Sequence, residues 1–207
     1  MKILMNFDKN LIDLLRDAHM WEYTNVNDNH SSSNKKKPML FFTKFQWFLI
    51  FIAIMLCPNG INSDFAGYVI TGLSLFIGLL FTLVVSLFDR FANVDFVRYK
   101  KSVNIDLHPL GVRIKNFFKK VIVLTLYMAI IAIVCILMLA FTMIFPILST
   151  GVNIDDIVRD FCITLCVLLI YRTVLCYFLL DYIYIAIKLI AYFYDFMISE
   201  IDKVDLG

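Results

Sequence analysis

The sequence predicts an all-α integral membrane protein with four transmembrane helices, an N-terminal amphipathic helix and short cytoplasmic helices. Three observations carry that expectation. Phe65 to Phe88, FAGYVITGLSLFIGLLFTLVVSLF, holds no charged residue, and a hydrocarbon core of roughly 30 Å needs only about 20 apolar residues as a helix. The chain of 207 residues is 61% hydrophobic and 17% charged, a balance that belongs to membrane proteins. Its basic residues cluster beside particular apolar runs, which is the pattern that sets topology.

From the start of the chain, Leu4, Phe7, Leu11, Leu14, Leu15, Ala18 and Trp21 share one side at helical spacing, with Asp8, Lys9, Asp13, Arg16 and Asp17 on the other. That is an amphipathic helix. Its polar face holds at least as many acids as bases, which argues against simple attraction to anionic headgroups. Such a helix packs within the fold or offers a partner surface, here through Leu11 and Leu15. MKILMNFDKN meets Asp8 and Lys9 before any sustained apolar core, so it does not read as a cleaved signal peptide. The polar stretch TNVNDNHSSSNKKK reads as a flexible tether, so residues 1–38 form a cytoplasmic helix and its linker.

The first span covers residues 39–57, with Lys44 able to snorkel to the headgroups. Pro58, Asn59 and Gly60 signal a turn, and PNGINSD leads at once into the second span, residues 65–88. Spans joined this tightly form an antiparallel hairpin. Ser74, Gly78, Thr82 and Ser86 recur at every fourth position of the second span. Such a stripe lets helix backbones approach closely. Its neighbour is another span of the same chain, a second subunit, or a pore.

Residues 89–120 hold eight basic residues, among them Arg98, Lys100, Lys101, Arg113 and Lys115, interleaved with apolar side chains. This reads as two short helices broken near His108, Pro109 and Gly111, and as a surface on which a cytosolic protein docks. The third span runs over 121–148, with Pro146 marking its exit. After a short acidic connection, the fourth runs over 161–194 and extends into the cytoplasm, where 195–207 form a tail. The two turns between paired spans hold almost no basic residues, so both termini and the central loop are expected in the cytoplasm.

Sequence motifs for catalysis are absent: there is no nucleophile elbow, phosphate-binding glycine loop or zinc-protease helix. The expectation is a non-enzyme. Five cysteines without a CxxC and three scattered histidines predict no metal site, and no cofactor is expected. Asp106 and His108 read as a turn. A net charge of +2 predicts no direct nucleic-acid binding.

Arg172, Asp181 and Lys188 interrupt the fourth span. If that span enters the membrane at Phe161, Arg172 lies roughly 16 Å deep at 1.5 Å per residue. Asp181, nine positions on, falls on the opposite helix face. Arg172 then needs hydroxyls or carbonyls near Thr71, Ser74 or Thr142, another subunit, or a hydrated cavity. It can be a hydrogen-bonded or snorkelling arginine in a shifted helix, one member of an anion-favouring ring, or a register pin at an interface.

The run SLFIGLLFTL, residues 74–83, followed by a basic juxtamembrane segment, resembles helices of small multi-pass membrane proteins of bacterial anti-phage defence, including the membrane subunit of Kiwa-type systems. The length and the four-pass layout agree. The resemblance implies a homo-oligomer in the inner membrane, with a tetramer as one candidate size, that senses membrane disturbance and holds a cytosolic effector. It assigns no site residues. A pore-forming effector or ion channel is the competing expectation, carried by the small-residue stripe and Arg172.

Overall fold

The computed structural model describes residues 2–23, 44–99, 108–145, 148 and 163–201. These form α1 (Lys2–Tyr23), α2 (Lys44–Leu56), α3 (Ser63–Ala92), a 3-10 turn (Phe96–Tyr99), α4 (His108–Ile144) and α5 (Ile163–Ile201), with no strand among the described residues. The helices α3, α4 and α5 are long and apolar enough to cross a membrane. The described part of α2 is 13 residues, shorter than a span, and residues 39–43 of its apolar run lie outside the described residues.

Local chemistry explains the helix ends. Asn62 caps α3, its Oδ1 accepting the Asp64 amide at 3.1 Å. Asp64 in the first turn and Arg90 in the last complement the helix dipole. Asp95 Oδ1 accepts the Val97 amide at 3.2 Å and starts the 3-10 turn. Among the described residues, the second of the two helices expected in 89–120 is not a separate short one. Residues 108–120 are instead the opening turns of α4, because Pro109 sits in the first turn, where its missing N–H costs nothing. His108 donates Nδ1–H to the Tyr99 carbonyl at 3.0 Å. Gly111 packs so tightly on the Tyr99 side chain that a Cβ would collide with it.

The chain divides into two compact units. The first gathers Met1–Phe41, Leu80–Tyr127 and Lys188–Gly207. Here Leu14, Ala18 and Trp21 of α1 pack on Val123 and Tyr127 of α4, with Trp21 fully buried. Lys119 closes the contact, 3.5 Å from Asp17 and 5.8 Å from the Trp21 ring centroid. On other sides of α4, Phe117 stacks on Phe196 at 3.8 Å and Phe118 meets Phe91 edge-on at 5.5 Å. Buried Lys120 lies 3.5 Å above the Tyr192 ring.

The second unit gathers Phe42–Leu79 and Met128–Ile187. Its core joins three helices through Ala66, Leu139 and Leu175, each fully buried. Phe45 of α2 stacks on Tyr184 of α5 at 4.4 Å. Burial is uneven among the long helices. Half of the most apolar stretch of α4 is buried, against 28% in α5 and 11% in α3.

Trp21 is the anchor of α1, so Trp21→Ala should cost about 3 kcal/mol. Amide exchange in detergent should then accelerate across α1 while the interior of α4 stays protected.

Candidate functional site

The side chains that bear on function fall into three groups, and the structure does not bring all of them together. The first is on α5. Arg172 is 0% exposed and donates its Nε–H to the Leu148 carbonyl at 3.2 Å. Leu148 lies beyond the end of α4. The hydroxyls of Thr71, Ser74 and Thr142 return to carbonyls of their own helices, those of Gly67, Ile70 and Met138. Beside Arg172, the Tyr171 hydroxyl donates to the Met138 carbonyl and lies 3.3 Å from the Thr142 hydroxyl.

Asp181 is buried as well, at 2% exposed. Arg172 and Asp181 stay on opposite faces of α5, as their spacing requires, and both are buried.

The second group is the stripe on α3. Ser74, Gly78, Thr82 and Ser86 are all exposed, and a Cβ built on Gly78 meets nothing within 4 Å. The stripe is exposed among the described residues. Thr82 and Ser86 also border an open hollow of about 580 Å³ with Phe81, Val85, Asp89 and Arg90.

The third group was expected to bind a partner. Leu11 and Leu15 are half-buried beside the face that packs on α4, while Lys9, Ile12, Asp13, Arg16 and Met20 form the exposed face of α1. Lys115 is exposed and Arg113 is half-buried. Lys100, Lys101 and the Arg98 side chain lie outside the described residues. No group of three or more potential metal ligands occurs among the described residues.

No family model, curated protein or solved structure matches this chain. The buried polar groups can pin one helix against another. Arg172 donates to a backbone carbonyl, and a charge-assisted bond of this kind is worth about 1.5–3 kcal/mol.

Arg172→Leu should therefore lower the thermal midpoint of the purified protein by an amount equivalent to about 2 kcal/mol. Arg172→Lys should recover only part of it, because an ammonium cannot reproduce the guanidinium reach and geometry.

Proposed function

We propose that the chain is a four-pass inner-membrane scaffold and sensor that homo-oligomerises and anchors a cytosolic effector protein, in a bacterial anti-phage defence system. The observation that carries this reading is the docking of α1 on α4. Trp21, Ala18 and the Lys119–Asp17 pair hold α1 as a built element rather than a loose tail. Its exposed face then presents Ile12 and Met20, 45% and 40% exposed, among Lys9, Asp13 and Arg16. An apolar pair framed by both signs of charge suits a specific protein contact better than a lipid surface. In this reading the described α2 is the core of a first span over residues 39–57, and the basic flanks keep both termini and the central loop in the cytoplasm.

Oligomerisation is supported by the exposed stripe on α3, where small residues would let a second copy approach. The defence role comes from the resemblance of residues 74–83. A pore-forming alternative would need Arg172 on the wall of a conduit. Its complete burial and its bond to Leu148 favour the scaffold.

Gly78→Leu should leave monomer stability unchanged or slightly raised, since the new side chain enters open space in a helix. Native mass spectrometry should then show a shift from oligomer to monomer; an unchanged oligomer would remove the stripe from the interface. The scaffold itself is tested by expressing the chain with its neighbouring genes in a phage-sensitive host. Ile12→Glu combined with Met20→Glu should restore plaque formation to that of the empty host while membrane insertion stays intact. Full protection by that variant, or dye leakage from vesicles holding the wild-type protein alone, would count against the proposal.

A further inference from the structure

We propose that the second unit carries a binding site for one acyl chain of a membrane phospholipid, taken from the leaflet beside the α2–α3 turn. A cavity of about 620 Å³ lies between that turn, α3 and α5. Its size falls within the range of roughly 300–1,000 Å³ typical of ligand pockets. Phe65, Val69, Leu73 and Phe76 of α3 face Leu179 and Ile183 of α5 across it. No charged side chain lines it, and Asn59 and Asn62 of the turn supply neutral amides at one end. An apolar slot with a polar rim has the profile of an amphipathic molecule.

Length identifies the occupant. The eleven steps from Phe65 to Phe76 rise about 16 Å along the helix. That is close to half of a hydrocarbon core of roughly 30 Å, so the slot spans one leaflet from its polar edge to the bilayer centre. A second copy of the chain fits less well. A helix is about 10–12 Å across with its side chains, and over this length it would need roughly twice the available volume. An acyl chain is slimmer, and phospholipid is the medium around any helix that crosses the membrane, as α3 is apolar enough to do. Gly72 keeps the wall recessed: it lines the cavity, and a Cβ built there meets nothing within 4 Å.

The inference rests on the chain crossing a bilayer and not on any cytosolic partner, so its test is separate from that of the scaffold. The purified full chain is reconstituted in vesicles containing phosphatidylcholine with a diazirine midway along one acyl chain. After irradiation, the labelled peptides are mapped by mass spectrometry. Label should concentrate on Leu73, Phe76, Leu179 and Ile183, above outward-facing Leu75 and Leu79. Gly72→Leu should lower labelling of the cavity residues by about ten-fold, because it takes the space of several methylenes. Gly67→Leu, equally free of near neighbours but outside the cavity wall, should leave labelling unchanged. Ile183→Trp fills the same space from α5 and serves if Gly72→Leu fails to fold. Even labelling around α3, labelling indifferent to both filling variants, or cross-links between two copies through these residues would overturn the proposal.

Discussion

A polar group carried into hydrocarbon has to be satisfied by the protein itself, and this constraint governs how α4 and α5 are held together. Apolar packing is non-directional, so by itself it leaves two long helices free to slide. Tyr171 and Arg172 remove that freedom. One reaches the Met138 carbonyl inside α4, and the other closes on Leu148 just past its end. The Met138 carbonyl thereby takes both the Tyr171 hydroxyl from α5 and the Thr142 hydroxyl of its own helix. The hydroxyls of Thr125, Thr142 and Thr173 return to carbonyls four residues earlier, which places them in apolar surroundings at little cost.

With that register fixed, burial falls mainly on α4. In the first unit its side chains meet α1, α3 and α5 through Val123, Phe118 and Phe117. In the second, Leu139 meets Ala66 and Leu175. On α3, Leu75, Leu79, Val85 and Phe88 are more than half exposed alongside the small-residue stripe. Large apolar side chains suit lipid and small ones suit a close helix neighbour. One helix therefore offers two kinds of surface, and the division between them follows side-chain size rather than hydropathy.

The legible part of this fold is what one-dimensional patterning encodes. The uncharged stretch 65–88 became the interior of α3, and the apolar side of α1 became a packed face through Leu14, Ala18 and Trp21. Less legible were features set by contacts distant in sequence. Pro109 and Gly111 look like breakers, yet the proline occupies a first turn and the glycine makes room for Tyr99. Arg172 was recognisable as a charge needing a partner. Its partner is a backbone carbonyl, which carries no signature in sequence. The outward position of the stripe was equally hidden, because small residues favour close approach without saying whose helix approaches.

A membrane sensor needs an element whose energy depends on the bilayer, and under the scaffold proposal α4 supplies one. Its uncharged stretch, residues 121–144, is about 36 Å long at 1.5 Å per residue. That exceeds a hydrocarbon core of roughly 30 Å, and such a mismatch costs a fraction of a kcal/mol per Å, relieved by tilt or local thickening. Val123 and Tyr127, near the start of the stretch, carry α1, while Lys119 and Lys120 mark where charge begins. A thinner bilayer would raise the cost of leaving this end of α4 in place, and the docked α1 would have to follow or detach. Under that proposal, the contact that builds the partner-facing surface lies beside one end of this stretch. Anchoring and sensing would then share one joint, with Trp21 at its centre.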